Sequence, residues 1–393
     1  MLHQKEKEIK KVLKFLSKNN TYFSKIFSEH TIDLEEPIET LFSKLPIVTK
    51  QDIRENYEDY ISNINLEKIG EYTSGSTGTP VNCVKTRAER TLAGINVWQQ
   101  RHKWDKEVDL NNYIYLYDSS TYKKVGNPLN FEKGNMIRCF NRLMEYSPRW
   151  ISGPISSFER YAKLIENKEI KYKPGVIKFI ELAGEYSSKE QREYVEKVFQ
   201  CKTINHYGTI ESWCIAYECP HGHLHVQNNL FYAEVVNKRN LVDQTPIGEI
   251  TITSLYNKLM PLVRYNIQDL GTIEEVDCEC GQKSQVICLA GGRTGDVIAG
   301  TNDILGELFF KRGIYKVIQK LGDCINGFRV EQIKLNQFLV YIEKGTGYVE
   351  EAENIMSKHI IAGLGKDTQV QYKYVDSIPP LPSGKVKIFY SHL

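Results

Sequence analysis

Four hydroxyl side chains and two glycines crowd into Thr73-Ser74-Gly75-Ser76-Thr77-Gly78, followed by Thr79-Pro80. Glycine removes the side chain that blocks close approach, so backbone N–H groups and hydroxyls can gather around phosphate oxygens. A solvated Gly/Ser loop has the same composition. The Walker pattern G-x-x-x-x-G-K-[ST] is absent, which disfavours a GTPase or a P-loop kinase. A second segment, Asn205-His206-Tyr207-Gly208-Thr209-Ile210-Glu211, follows a strand that begins at Thr203. It offers an aromatic ring to stack a base, a hydroxyl for a phosphate and a carboxylate for Mg²⁺. In the third, Met260 to Leu270, Asp269 is expected to end a strand, where it can accept ribose hydroxyls or simply cap a turn. The fourth, Pro382-Ser383-Gly384-Lys385-Val386-Lys387, sets a lysine directly after a glycine in a short loop, which by itself is a basic turn.

A separate cluster joins Cys219-Pro220-His221-Gly222-His223-Leu224-His225 to Cys278-Glu279-Cys280-Gly281. The intervening strands can form a ribbon that returns one end to the other. Three thiolates with one imidazole make a structural zinc set. Reduced thiols among surface histidines are the alternative.

The elements that must position these groups follow from periodicity. Ile9, Val12, Leu13 and Leu16 recur at helical spacing, Leu45 to Val48 reads as extended, and a charged helix begins at Lys50. Strands are expected over Tyr113–Tyr117, Val176–Ala183, Thr203–Tyr207, Leu230–Val236, Glu249–Thr253 and Leu262–Ile267. Helices are expected over Phe158–Asn167 and Lys189–Phe199. This is the α/β pattern of a large domain of layered mixed sheets and helices. After Arg293 come strands over Phe328–Ile333, Phe338–Glu343 and Gln369–Val375, with a helix over Val349–Ile361: a small α+β unit. Residues 1–292 are thus expected to form the large domain, 293–296 a glycine-rich hinge and 297–393 a small mobile domain.

Lys and Arg total 51 against 49 Asp and Glu, interspersed, so no field exists that would hold nucleic acid. No run of about 18 apolar residues suggests a membrane span. Met1 to Lys14 lacks the apolar core of a signal peptide. Nine cysteines, with Cys83, Cys139, Cys201, Cys288 and Cys324 expected in buried elements, suit a reducing cytoplasm. A homodimer is compatible with this composition.

In this order and over residues 40 to the end, the motifs resemble the adenylate-forming superfamily of acyl-CoA synthetases. Within it the similarity is to the phenylacetate-CoA ligase-like branch that includes capsule-biosynthesis homologues. Thr73 to Pro80 matches the phosphate loop, Tyr207 to Glu211 the Tyr-Gly-x-x-Glu segment, Asp269 the ribose-binding Asp, Gly292-Arg293 the Gly-Arg before the hinge, and Gly384-Lys385 the C-terminal Gly-Lys. Leu182-Ala183-Gly184-Glu185 resembles the segment against which adenine lies. Val81 replaces a lysine common elsewhere in the superfamily, and Gly295 stands where an acidic hinge residue is common.

The resemblance implies ATP-dependent activation of a carboxylic acid, aromatic or heteroaromatic, to an acyl-AMP, then transfer to CoA. An amine or hydroxyl acceptor is the alternative, because Val297 to Asn302 departs from the pattern of the CoA ligases. A nucleotide-binding homologue without catalysis is a further alternative, against which Glu211 and Lys385 both argue. It assigns Thr73, Ser74, Gly75, Ser76, Thr77 and Gly78 to the β- and γ-phosphates, Thr209 to the α-phosphate and Glu211 to magnesium. His206, Tyr207, Gly208, Gly184 and Glu185 fall to the adenine side, Asp269 and Arg293 to ribose, and Lys385 to the α-phosphate and incoming carboxylate. It also favours zinc at Cys219, His225, Cys278 and Cys280, although His223 stands where the family has glycine. His221 and His223 are then expected to be solvated neighbours.

Overall fold

Ile9, Val12, Leu13 and Leu16 are all buried along α1 (Leu2–Asn19), so the helical spacing seats this helix on the core. The computed structural model describes residues 2–72, 81–240, 246–293, 296–301, 306–322, 324–379, 381 and 386–393. Thr73, Ser74, Gly75, Ser76, Thr77, Gly78 and Lys385 therefore lie outside the described residues. Behind α1 come α2 (Thr21–Glu29), α3 (Ile38–Lys44), α4 (Lys50–Glu55) and α5 (Tyr57–Tyr60). A capping box between Thr49 and Asp52 starts α4. Just before it, Val48 N donates to Arg264 O at 3.0 Å and Val48 O accepts from Asn266 N at 2.8 Å, which ties the entry of α4 to a strand more than 200 residues away. β1 (Lys68–Tyr72) and β2 (Asn82–Thr86) pair antiparallel.

The large domain continues through α6 (Arg87–Trp104), β3 (Tyr113–Tyr115), α7 (Ser119–Val125), α8 (Lys133–Glu145), β4 (Trp150–Gly153), α9 (Ile155–Glu166), β5 (Phe179–Ala183), α10 (Lys189–Phe199) and β6 (Lys202–Tyr207). Then come β7 (Ala216–Glu218), β8 (Leu224–Val226), β9 (Phe231–Asn240), β10 (Pro246–Ser254), β11 (Tyr265–Asp277) and β12 (Lys283–Arg293). They form one ten-stranded sheet of order β3-β4-β5-β6-β7-β8-β12-β11-β10-β9. The β3 to β6 pairs are parallel, and every pair beyond β6 for which a register is given is antiparallel. The parallel strands are short and buried, and α8, α9 and α10 contribute Phe140, Phe158 and Phe199 to a core against them. The antiparallel half shares a second core with the N-terminal helices.

The small unit holds α11 (Gly306–Leu321), β13 (Ile325–Lys334), β14 (Gln337–Lys344), α12 (Glu351–Leu364), β15 (Gln369–Val375) and β16 (Phe389–Ser391), with strand order β15-β14-β13-β16. Its core gathers Phe310, Val317, Val340, Met356 and Phe389. Several expected boundaries move. The strand expected from Val176 begins at Phe179, and the one expected over Leu262–Ile267 starts at Tyr265 and runs to Asp277. Asp269 is consequently not at a strand end but within β11, beside a register shift that disrupts the ladder to β12. Cys288, expected in a buried element, is exposed.

Candidate functional site

The C-terminal ends of β5 and β6 lie side by side, with Ala183 opposite His206, where ligands collect in sheets of this kind. The two glycines just beyond are there for space. Gly184 has φ +84°, and a Cβ on it would sit 2.6 Å from the Tyr117 hydroxyl; one on Gly208 would fall 1.4 Å from the carbonyl oxygen of Trp213. That Tyr117 hydroxyl is buried without a hydrogen-bond partner among the described residues.

Tyr207 ends β6 and donates its hydroxyl to Asp269 Oδ2 at 2.9 Å. Arg293, opposite Asp269 in the register, donates Nε to Asp269 Oδ1 at 3.0 Å. Strands from both halves of the sheet thus bring three of the expected nucleotide residues together around one carboxylate. Burial, and then the Asp269 charge, push the Tyr207 phenol well above its ordinary value, so it remains a donor. Thr209 Oγ1 and Ser212 Oγ lie 2.9 Å apart in the following turn.

Glu211 is buried, 3.0 Å from Lys50 Nζ and 3.1 Å from the Tyr265 hydroxyl. Burial raises its pKa most, but the Lys50 ammonium together with hydrogen bonds from the Glu211 backbone and Thr209 outweighs that and holds the carboxyl below its usual range. A single carboxylate at a phosphate site suits Mg²⁺, which fills its other positions with waters and substrate oxygens. Lys50 and Tyr265 were not foreseen, since no local pattern links them to Glu211.

His206 faces away from this group. Its Nδ1 lies 3.3 Å from Glu181, which Arg101 also pairs at 2.8 and 2.9 Å, with Tyr217 and Ser152 hydroxyls donating at 2.6 and 2.9 Å. Burial opposes protonation of His206, yet Cys214 and Glu181 beside it raise its imidazole to about 10. The side chain of Glu185 likewise is held elsewhere, by the first turn of α9.

The four cluster residues meet as expected. Ligand atoms of Cys219, His225, Cys278 and Cys280 all lie within 4.8 Å of one another. A tetrahedral zinc with Zn–S of about 2.3 Å and Zn–N of about 2.0 Å sets sulfurs about 3.8 Å apart and sulfur to nitrogen about 3.5 Å. Cys219 and Cys278 sulfurs are 3.9 Å apart, and Cys280 sulfur is 3.4 Å from His225 Nε2. His225 Nδ1 is engaged by Ser284 Oγ at 2.6 Å, which leaves Nε2 for a metal. Burial, then His223 and Lys103, depress His225 to about 4, so the imidazole is neutral as a ligand must be. The donor set fits zinc. His223 is not merely a solvated neighbour, because its Nδ1 lies 3.1 Å from Cys278 sulfur; His221 is more open and faces Glu279 at 3.5 Å.

With this geometry in place, residues 306–392 match the CapK C-terminal domain family. Protein CapK of Staphylococcus aureus is 22% identical over 403 residues, covering 96% of this chain and 86% of that protein. Phenylacetate-coenzyme A ligase of Thermus thermophilus is 22% identical over 321 residues, covering 76% and 72%. The chain is a homologue of both. It also shares the adenylate-forming fold: 2-hydroxyisobutyryl-CoA ligase in its postadenylation state, bound to 2-HIB-AMP, superposes with a TM-score of 0.74 at 14% identity, covering 98% of this chain and 88% of that one. The same ligase in its thioesterification state gives 0.62 at 17% identity, covering 99% and 89%. No helix among the described residues is long and apolar enough to cross a membrane.

Proposed function

We propose that this chain is an adenylate-forming ligase that joins a carboxylic acid to AMP from ATP, releases pyrophosphate and passes the acyl group to CoA. The observation that carries this is the Tyr207–Asp269–Arg293 array, with Glu211 a turn away, at the carboxyl ends of the parallel strands. Tyr207 offers a ring face for adenine beside Gly184, Asp269 accepts ribose hydroxyls, and Arg293 orients Asp269. His206 and Gly208 shape the strand end around them. Thr209 contacts the α-phosphate. Glu211 would hold magnesium, which supplies neutralisation of phosphate charge; Lys50 balances the carboxylate otherwise. The segment Thr73 to Gly78 receives the β- and γ-phosphates, and Lys385 meets the α-phosphate and the attacking carboxylate.

One carboxylate oxygen attacks the α-phosphorus as the bond to the bridging oxygen of pyrophosphate breaks, so positioning and charge stabilisation are what the protein supplies. Residues 293–296 serve as hinge between a large domain over 1–292 and a small one over 297–393. Zinc at Cys219, His225, Cys278 and Cys280 is structural, since four protein ligands leave no open position.

Pyrophosphate release from ATP, screened over aromatic and heteroaromatic acids with and without CoA, tests the proposal. Acid-dependent release supports it, and CoA-dependent turnover fixes the acceptor. Release that is acid-dependent but turns over only with an added amine or alcohol selects the other acceptor class, and absence of release with every acid refutes adenylation.

A further inference from the structure

Beyond the nucleotide site, the two domains meet along a seam that is not packed like a core. A cavity of about 440 Å³ opens there, lined by Ile155 and Tyr194 of the large domain and by Ile314, Phe328 and Ile388 of the small one. Two hydrogen bonds to main-chain atoms cross the seam among the described residues. Lys163 Nζ donates to Ile325 O at 3.2 Å, and Val386 N donates to Glu185 Oε1 at 2.9 Å.

The second contact is unusual in its placement. Glu185 Oε2 accepts from Ser156 N at 3.1 Å, and Oε1 accepts from Ser156 Oγ at 3.0 Å. The first-turn N–H groups of a helix lack intrahelical partners, so α9 holds this carboxylate in place from the large-domain side. A carboxylate has acceptor capacity left over, and the Val386 N–H takes it. Val386 directly follows Lys385. One residue further, Lys387 Nζ lies 3.5 Å from Asp296, whose Oδ2 accepts from Arg293 N at 3.3 Å, so the same stretch is also tied to the segment beyond Arg293.

We propose that Glu185 is a positioning residue that catches the backbone N–H of Val386 and so registers the C-terminal stretch carrying Lys385 against the large domain for the adenylation step. This rests on the role given to Lys385 above. From the small domain Val386 contributes a main-chain donor, and the Lys311 ammonium of α11 acts on the same carboxylate by charge alone. A hydrogen bond to a charged acceptor is stronger than a neutral one, yet single enough to break when the domains rearrange.

Two readouts on the full chain test this. Amide exchange at Val386, followed by mass spectrometry without substrate, should be about ten- to a hundredfold faster in Glu185→Ala than in the wild type. Pyrophosphate formation should fall by a similar factor, whereas acyl transfer from preformed acyl-AMP should be unchanged. Val386→Pro removes the donor without touching α9, so it should slow pyrophosphate formation as Glu185→Ala does even if the latter folds poorly. Unchanged exchange at Val386, or equal slowing of both half-reactions with faster exchange in α9, would show that Glu185 only caps the helix and would overturn the catch. If no acid yields pyrophosphate with the wild type, the adenylation proposal fails, while the exchange result still judges the contact.

Discussion

β8 meets β12 through a single register pair, His225 with Val286, whereas β11 and β12 share a long ladder. At about 1 kcal/mol net per backbone hydrogen bond, the ladder at that junction supplies no more than about 2 kcal/mol, beside the apolar core that the strands on both sides share. The zinc ligands straddle it, with Cys219 and His225 on one side and Cys278 and Cys280 on the other. Replacing Cys278 and Cys280 by serine should abolish zinc binding and leave the remaining thiol and imidazole buried without their cation, at a cost of about 3–5 kcal/mol. A fall in Tm of about 4–6 °C follows for a chain of this size. The same junction separates β6 from β11, so ATP binding should weaken as well, because Tyr207 and Asp269 must meet across it. Elemental analysis, a thermal scan and an ATP titration of both proteins measure these effects. Zinc-free wild type, or a double variant with unchanged Tm, would refute the clamp.

Asp269→Asn should weaken ATP binding about ten- to a hundredfold, since it removes a charged acceptor from Tyr207 and leaves Arg293 without its anion; calorimetric titration checks this. Lys385→Ala should lower pyrophosphate formation by several orders of magnitude, with ATP binding and acyl transfer from preformed acyl-AMP retained; equal loss in both half-reactions would place the motif wrongly. Lys387→Ala, which breaks a partly exposed ion pair with Asp296 and a contact over the Tyr390 ring, should cost about 1 kcal/mol in stability. Burial raises the pKa of Asp105, but hydrogen bonds from Arg149 and Trp150 outweigh it and bring the carboxyl down to about 2. A depressed folded pKa gives stability that is present above the unfolded value and lost as pH falls through the folded one. Asp105→Asn should therefore be about 2 kcal/mol less stable at about pH 6, with the gap closing between about pH 4 and pH 2 in chemical denaturation.

Local patterns made parts of this molecule legible. Lys189–Phe199 was readable as a helix from its periodicity, and Ser188 with Gln191 caps it. The Cys/His spacing named the residues that meet in space. Asp269 and Arg293 do lie together, yet the position of Asp269 within β11 was not readable, because the register shift beside it depends on pairing with β12. The helix α11 was not foreseen. It contains Gly313, ordinarily a helix weakener, retained where a Cβ would fall 2.5 Å from Met356 sulfur as α11 packs on α12. Lys50 and the Arg101–Glu181 network were invisible for a different reason: each joins segments that only the folded sheet brings together.

The carboxylate oxygen offers the most direct test of adenylation. With acid labelled by ¹⁸O in its carboxyl group, attack at the α-phosphorus leaves one labelled oxygen bridging acyl and phosphate, and departure of the acyl group carries that oxygen away in AMP. Mass spectrometry of the nucleotide after turnover with ATP, the labelled acid and the acceptor should find AMP heavier by one ¹⁸O and unlabelled pyrophosphate. ADP with label in inorganic phosphate would mean attack at the γ-phosphorus, and would contradict the function proposed for this chain.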